Sequence, residues 1–226
     1  MSYLKHIRHD LQDMQAYAVQ DAVGMVKLDA MENPHRLSAE LQAQLGARLG
    51  AVAVNRYPGK RIDDLKQAIA LHTGMPEGYS LMLGNGSDEL ISLLSMACQM
   101  PGASVLAPEP GFVMYAMSAK LQGLTYIPVS LRDDFELDEA AMSAAIAQHQ
   151  PAIVYLAYPN NPTANLWDAN VIRRLIAQVS AYGGWVVLDE AYQPFSPQTW
   201  LSDIKRDPSA NAQVLLMRTL SKFGLA

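Results

Sequence analysis

The sequence predicts an α/β fold with a mainly parallel sheet and helices on both faces. Short apolar runs, such as residues 153–157 and 185–188, alternate with longer segments of helical spacing. These runs are apolar throughout rather than alternating with polar residues, which is typical of parallel strands buried on both faces. The chain of 226 residues, half of them hydrophobic and 17% charged, is long enough to bury the core of one such domain.

The individual elements follow from these runs. Six strands are predicted, at residues 81–83, 104–107, 124–129, 153–157, 185–188 and 214–217. Helices are predicted at residues 88–99, 112–122, 138–148 and 169–182, with Asp138 as the N-cap of the third. Residues 1–55 lack this rhythm, and there we expect a helix at 4–22, an irregular segment at 29–37 and a helix at 38–49. We therefore divide the chain into an N-terminal segment, residues 1–55, and a sheet domain, residues 56–226.

Composition argues against several classes of function. The net charge is −5 and the pI about 5.5, so the surface is not expected to attract nucleic acid. No run approaches the roughly 18 apolar residues of a membrane span, and the first residues lack a signal-peptide core. The single cysteine, Cys98, allows no internal disulfide. We expect a cytoplasmic protein that binds a small-molecule substrate and has no metal site.

Two charged residues at expected strand ends indicate a specific cofactor. Lys222 follows the apolar run 214–217, and Asp189 ends the run 185–188. In a parallel sheet these carboxyl ends meet at one edge, where open α/β sheets bind ligands. Pyridoxal 5′-phosphate (PLP) needs a lysine amine for its aldehyde and a carboxylate for its pyridine nitrogen. The pair therefore predicts a PLP site.

Polar turns follow other expected strands. The segment 84–89, Gly-Asn-Gly-Ser-Asp-Glu, is expected to open a helix with Ser87 as its N-cap, and a helix N-terminus favours a phosphate. Asn161 lies in a proline-rich turn, and Tyr192 lies three residues after Asp189. Taken singly, each has an ordinary explanation such as a helix cap or a turn. No Gly-Lys-Ser/Thr follows the glycines, so a nucleotide-binding module is disfavoured.

Five motifs stand in the order and spacing of a known family. They are Arg-Tyr-Pro at 56–58, Gly-Asn-Gly-Ser-Asp-Glu at 84–89, Pro-Asn-Asn-Pro-Thr at 159–163, Asp-Glu-Ala-Tyr at 189–192 and Arg-Thr-Leu-Ser-Lys at 218–222. On these motifs the chain resembles the PLP-dependent fold-type I aminotransferases, and within them the histidinol-phosphate aminotransferase family. The resemblance runs from residue 28, through Glu-Asn-Pro at 32–34, to residue 226.

The resemblance implies a role for each residue near the cofactor ring. Lys222 would bind PLP covalently and then move a proton at the substrate Cα, and Asp189 would keep the pyridine nitrogen protonated. Tyr192 and Asn161 would bind the phenolic oxygen, and Tyr115 would stack on the ring. By this resemblance Lys222, Asp189 and Tyr192 are the catalytic residues.

The resemblance also implies a phosphate site and a partner. The phosphate would be held by backbone amides and hydroxyls of Gly86, Ser87, Asp88, Thr219 and Ser221. Tyr57 would reach the phosphate of a neighbouring subunit, so a homodimer is expected.

The implied reaction is transfer of the amino group of L-histidinol phosphate to 2-oxoglutarate, a step of histidine biosynthesis. The same PLP residues also fit an aromatic or other amino-acid aminotransferase, or a threonine-phosphate decarboxylase. An alternative of another class is a PLP-binding fragment without catalytic activity.

The chain departs from the family pattern at two positions and at its end. Ala164 stands where the family usually has glycine, and Met31 where it commonly has asparagine. If position 164 needs a positive φ, alanine costs on the order of 1 kcal/mol there. In the family, a further strand, an arginine for the cofactor phosphate and a small domain with a substrate-binding arginine follow the lysine. The resemblance therefore implies a truncated chain that is inactive alone.

Overall fold

A five-stranded parallel sheet forms the centre of the chain. The computed structural model describes residues 5–12, 14, 21, 23–27 and 31–224. The strands are β1 (Ser104–Glu109), β2 (Thr125–Ser130), β3 (Ile153–Ala157), β4 (Trp185–Asp189) and β5 (Val214–Met217). They lie in the order β2-β1-β3-β4-β5, and each neighbouring pair is parallel. The predicted α/β fold with a parallel sheet is confirmed.

Seven α-helices are present in the described part of the chain. They are α1 (Ala39–Gly50), α2 (Arg61–Thr73), α3 (Gly86–Ala97), α4 (Met114–Gln122), α5 (Glu139–His149), α6 (Ala169–Ser180) and α7 (Leu201–Arg206). The predicted N-cap of α5 is present, and α1 has a side-chain cap that was not predicted. Ser38 accepts a hydrogen bond from the N–H of Leu41, and Asp138 accepts one from the N–H of Ala141.

Apolar side chains on both faces of the sheet hold the layers together. Alternate residues of a strand point to opposite faces, so Val154 and Leu156 of β3 pack with α5 and α6, including Ile146 and Leu175. Ile153 and Tyr155 of the same strand lie in a second cluster with residues of α3 and α4. All four of these β3 residues are at most 1% exposed. Helices therefore cover both faces, as continuous apolar strands require.

The predicted strand at 81–83 is wrong. These residues have no strand assignment and lead directly into the turn before α3. A strand exists through the ladder it forms with a neighbour, and the described strands pair only with one another, with β2 and β5 at the edges. Met82 is 57% exposed. Three apolar residues without a partner strand stay irregular.

The N-terminal segment differs from its prediction as well. Of the helix expected at 4–22, residues 5–12 form a 3₁₀ turn at His9–Leu11 instead, and residues 4, 13, 15–20 and 22 lie outside the described residues. The turn is held by Arg8, whose guanidinium donates to the carbonyls of Lys120 and Leu121 at the end of α4. Residues 31–37 are irregular as expected, and residues 28–30 are not described.

No element was predicted where helix α2 lies. The helix buries none of its residues, and its apolar side chains form no clear stripe along one face. It ends at Gly74, which has φ +69° and closes the last turn in the left-handed conformation that favours glycine. Among the described residues, no helix is long and apolar enough to cross a membrane.

Ala164 has φ +59°, so the position does require the left-handed conformation. Its N–H donates to the carbonyl of Asn160 at 2.9 Å, which fixes the turn after β3. In a residue with a Cβ, this conformation strains the folded state by about 1–2 kcal/mol. Glycine would relieve that strain, but it would also stabilise the unfolded chain through its larger conformational entropy, by about 0.4–1 kcal/mol.

We expect Ala164→Gly to raise the free energy of unfolding, by up to ~1 kcal/mol. The matched control is Ala47→Gly, at an exposed interior position of α1, where glycine should lower it by about 1 kcal/mol. Urea unfolding of both variants measures the two signs. A loss at position 164 as large as that at position 47 would show that the turn is not strained.

Candidate active site

A cleft lies at the carboxyl edge of the sheet. It is lined by Ser87, Phe112, Tyr115, Ala157, Asn161, Asp189, Ala191, Tyr192 and Lys222. These residues come from α3, from the turn after β1 and the helix α4 that follows it, and from the ends of β3, β4 and β5. The parallel topology accounts for this meeting of distant residues, because the carboxyl ends of all five strands reach one edge.

Asp189 lies deepest among the charged groups of the cleft. It is 4% exposed, and both carboxylate oxygens accept hydrogen bonds, Oδ2 from the hydroxyl of Tyr115 at 2.7 Å and Oδ1 from the N–H of Ala191 at 3.0 Å. Burial raises the pKa of Asp189 to about 6, although these two hydrogen bonds act in the opposite direction. A cationic group brought to this carboxylate would offset its burial and lower the pKa again.

Asn161 and Tyr192 meet on one side of the cleft. The Asn161 amide donates to the Tyr192 hydroxyl at 3.4 Å. The turn that carries Asn161 is fixed by its neighbour Asn160, which is 3% exposed and donates to the carbonyl of Pro110 and the hydroxyl of Thr163. An amide and a phenol are thereby held side by side, as needed to bind one oxygen of a ligand.

Lys222 reaches the cleft from the loop after β5 and is half-buried. In this loop Thr219 and Ser221 share a hydrogen bond of 2.9 Å between their hydroxyls, and the N–H of Ser221 donates to Thr219 Oγ1. The amide of Asn33 donates to the carbonyl of Phe223 at 2.9 Å. The 32–34 motif is therefore in contact with the loop that carries the lysine.

The start of α3 differs in detail from its prediction. The helix begins at Gly86, so its N-cap residue is Asn85 and the predicted N-cap role of Ser87 is wrong. The Glu89 carboxylate reaches back to the N–H of Asn85 at 2.5 Å, and Gly86, with φ +80°, donates its N–H to the carbonyl of Gly84. Ser87 lies one residue inside the helix, and the first N–H groups of a helix lack intrahelical acceptors. The amides of Ser87 and Asp88 thus remain suited to an anion, and that of Gly86 is engaged.

A buried ion pair joins the two charged motifs behind the cleft. Glu190, fully buried, accepts from Arg218 through both Nε at 2.9 Å and Nη2 at 2.8 Å. The Thr199 hydroxyl and the backbone N–H of Trp200 also donate to this carboxylate. Since Glu190 follows Asp189 directly, and Arg218 opens the loop that carries the lysine, the pair fixes the ends of β4 and β5 relative to each other.

Comparison with known proteins places this arrangement in a family. The profile of the family described as aminotransferase class I and II matches residues 24–226. The chain belongs to this family. The candidate site of this family member lies at the strand ends of the sheet.

Individual relatives show which members of the family this chain is similar to. The chain is 63% identical over 227 residues to a histidinol-phosphate aminotransferase of Paracidovorax citrulli and 65% identical over 222 residues to one of Polaromonas naphthalenivorans. These alignments cover 99% and 98% of the chain, but only 61% and 60% of the relatives. The crystal structure of a Sinorhizobium meliloti histidinol-phosphate aminotransferase in complex with PLP superposes with a TM-score of 0.74 at 27% identity. That match covers 87% of this chain and 52% of that one.

The structure also shows contacts that the motifs did not indicate. Tyr115, expected to stack on a cofactor ring, is 2% exposed, and its ring stacks on Tyr155 at 4.3 Å between centroids. Phe112 lines the same cleft and is more exposed, so its ring is better placed to contact a ligand. The stacking role of Tyr115 stays a prediction. A turn motif followed by two aromatic residues three positions apart was the available signal, and it does not say which ring is covered.

Tyr57 and most of the residues expected around the cofactor phosphate do not line the cleft. Tyr57 is 98% exposed and does not line the cleft. Of the residues expected around the phosphate, Ser87 is in the lining, whereas Gly86 and Asp88 are its neighbours in α3, and Thr219 and Ser221 lie in the loop after β5. Among the described residues, no group of three His, Cys, Asp or Glu side chains could hold a metal ion.

Breaking the buried ion pair should destabilise the fold strongly. Glu190→Ala leaves Arg218 without its carboxylate in a largely buried setting, which costs about 3–5 kcal/mol. The control is Glu139→Ala, which breaks a pair with Arg174 in which both side chains are solvent-exposed and should change stability little. Denaturant unfolding gives both values, and a Glu190→Ala variant as stable as the Glu139→Ala variant would contradict the role of the pair.

Proposed function

We propose that the protein to which this chain belongs is a PLP-dependent aminotransferase that moves the amino group of L-histidinol phosphate to 2-oxoglutarate. The observation that carries this proposal is the meeting of Lys222, Asp189, Asn161 and Tyr192 in one cleft. The identity of 63–65% to histidinol-phosphate aminotransferases supports the substrate. The roles of the individual residues and the division at residue 55 are part of the proposal.

The donor set of the cleft fits PLP. Asp189 offers a buried carboxylate for a protonated ring nitrogen, and this opposite charge would bring the raised pKa of the carboxyl group down again. Asn161 and Tyr192 offer hydrogen bonds to the phenolic oxygen. Lys222 offers the amine for the aldehyde. For the phosphate, the start of α3 offers the amides of Ser87 and Asp88.

The residues then have distinct tasks in the reaction. When bound, PLP supplies an electron sink that stabilises negative charge at the substrate Cα. Lys222 takes the proton from Cα and returns one, as a general base and acid. Asp189 holds the proton on the ring nitrogen, where burial strengthens the charge interaction. Asn161 and Tyr192 orient the ring through its phenolic oxygen, and Phe112 keeps water from one side of the cleft.

The substrate is tested by comparing amino donors on a full-length protein that contains this chain. Loss of the absorbance of the bound cofactor reports the half-reaction with L-histidinol phosphate, histidinol, phenylalanine or tyrosine. A charge-assisted contact to the substrate phosphate should favour histidinol phosphate over histidinol by roughly 10- to 150-fold in specificity constant. A higher constant for phenylalanine or tyrosine would make the protein an aromatic aminotransferase. Bound PLP that no donor converts would make it a PLP-binding protein without this activity.

We also propose that the protein is a homodimer whose Tyr57 binds the cofactor phosphate of the partner subunit. Tyr57 contacts almost nothing in its own chain, being 98% exposed, and the neighbouring helix α1 exposes Leu41, Leu45 and Leu49 by 40–59%. A row of leucines four residues apart forms one apolar face of a helix, and such faces are usually covered in the assembled protein. A cytoplasmic location stays a prediction.

Mixing two impaired variants should restore activity if Tyr57 serves the partner. In a heterodimer of Tyr57→Phe and Lys222→Ala, one site carries both substitutions and the other carries neither. We therefore expect up to about half the specific activity of the wild type per heterodimer. Exchange of subunits is verified by native mass spectrometry. If heterodimers form and remain as inactive as their parents, Tyr57 acts within its own subunit.

A further inference from the structure

We propose that Tyr115 is a positioning residue that fixes the Asp189 carboxylate for its contact with the cofactor ring nitrogen. This inference rests on the proposed function. It assigns Tyr115 a task different from ring stacking. The hydroxyl of Tyr115 donates to Asp189 Oδ2 at 2.7 Å, across 74 residues of sequence, and both residues are at most 4% exposed.

The surroundings of Tyr115 leave its hydroxyl little freedom. Its ring stacks on Tyr155 of β3 with an angle of 7° between planes, and the edge of Phe112 meets it at 87° and 5.6 Å. The phenol is therefore held from two sides with its oxygen on the carboxylate. Burial and the charge of Asp189 raise the pKa of Tyr115 well above its ordinary value, so the phenol keeps its proton and remains a donor at neutral pH.

The second carboxylate oxygen is fixed by the backbone. The N–H of Ala191 donates to Oδ1 at 3.0 Å, so the carboxylate plane is defined by two donors on different elements, α4 and the end of β4. A carboxylate held in one orientation needs no rearrangement when a protonated nitrogen approaches, and such preorganisation strengthens an electrostatic contact. Without the phenol, the side chain of Asp189 is free to rotate about one remaining hydrogen bond.

The chain offers a matched control for the hydroxyl. Tyr155 belongs to the same aromatic stack and is also buried, but its hydroxyl is not among the donors to Asp189. Tyr115→Phe and Tyr155→Phe thus remove the same atom from the same stack, and only the first removes a hydrogen bond from the carboxylate. The other groups that act on the titration of Asp189 are the same in both variants and include Asp88 and Glu190. Lys222, which lines the same cleft, is also unchanged in both.

The experiment measures two quantities in the full-length protein. The first is the titration midpoint of the Asp189 carboxyl in PLP-free protein, followed by carbon-13 NMR and assigned by its absence in Asp189→Asn. We expect Tyr115→Phe to raise this midpoint by about one pH unit and Tyr155→Phe to leave it unchanged. The second is the dissociation constant of PLP, which should increase roughly tenfold in Tyr115→Phe only.

A double-mutant cycle separates positioning from folding. In the Asp189→Asn background, Tyr115→Phe should have almost no further effect on PLP affinity, since the carboxylate it acts through is absent. Equal midpoints in Tyr115→Phe and the wild type, equal losses in Tyr115→Phe and Tyr155→Phe, or an undiminished loss in the Asp189→Asn background would each overturn the inference. Failure of the wild type to bind PLP would refute the proposed function, and the NMR comparison would still decide whether Tyr115 controls Asp189.

Discussion

Lys222→Ala is expected to lower the turnover number of the full-length protein by roughly 10⁴-fold or more. Among the described residues that line the cleft, Lys222 alone carries an amine. In the proposed mechanism, its loss removes both the covalent attachment of PLP and the group that moves the proton at Cα. Lys222→Arg should be equally inactive, because a guanidinium keeps its proton at every accessible pH. This second variant separates the need for a base from the need for a positive charge.

The attachment is measured by borohydride reduction of the PLP-loaded protein followed by peptide mass mapping. The adduct should lie on the peptide containing Lys222 and be absent from both variants. Lys120→Ala, at the exposed end of α4, is the control and should retain both adduct and activity. An adduct on any other lysine of the wild type would show that the assignment of Lys222 is wrong.

The second large effect concerns Asp189, whose removal should have opposite consequences for activity and for stability. In the proposed mechanism, an asparagine at this position cannot keep the ring nitrogen protonated, so Asp189→Asn should lower turnover by about 10³-fold or more. The same substitution removes a buried charge from the PLP-free protein. The pKa of Asp189 is about 6 in the folded chain, compared with about 3.9 for an unfolded aspartate.

The sign of the pH dependence follows from this difference. Because the folded pKa is the higher one, the neutral carboxyl group is favoured by folding, and its contribution is fully present below about pH 4. It is lost as the pH rises through 6, and the loss amounts to ~3 kcal/mol. Asp189→Asn lacks this pH-dependent contribution to stability, because asparagine does not titrate. The unfolding free energy of the variant relative to the wild type should therefore increase by ~2 kcal/mol between pH 4 and pH 7.

Urea unfolding of PLP-free protein at a series of pH values measures this difference. Loading with PLP should reduce the pH dependence of the wild type, since a protonated ring nitrogen compensates the carboxylate. Parallel stability curves for the wild type and Asp189→Asn in the PLP-free state would contradict the burial argument. The comparison is insensitive to any constant cost of replacing one carboxylate oxygen by an amide.

The sheet could be predicted from sequence because its strands are apolar on both faces. Residues 153–157 and 214–217 are strands with the bounds that the apolar runs indicate. The run at 81–83 is just as apolar, but a strand also requires a neighbour, and no local pattern reports one. Helix α2 was missed for the opposite reason, since it buries no residue and so lacks a clear apolar stripe.

The site could be predicted to the level of which strand ends contribute to it, and not to the level of contacts. Asp189 stands out because it is a charged residue that ends an apolar strand, and Lys222 because it lies in the short loop after another apolar strand. The hydrogen bond between Tyr115 and Asp189 has no local signal, because it depends on how α4 packs on the sheet. The cap of α3 was misassigned since Glu89 reaches back to Asn85, and both Ser87 and Asn85 are ordinary cap residues.

The buried pair of Glu190 and Arg218 affects which mutant phenotypes a genetic screen of this protein should find. Neither residue lines the cleft, yet each stands within the motif of a residue that does. Substitutions at these positions and at Lys222 would give the same loss of growth in a selection for activity. They differ in the amount of folded enzyme in the cell, because a loss of a few kcal/mol depletes the native protein whereas a lost amine does not. Alleles of the pair should consequently be temperature-sensitive, and alleles of the lysine should be defective at every temperature.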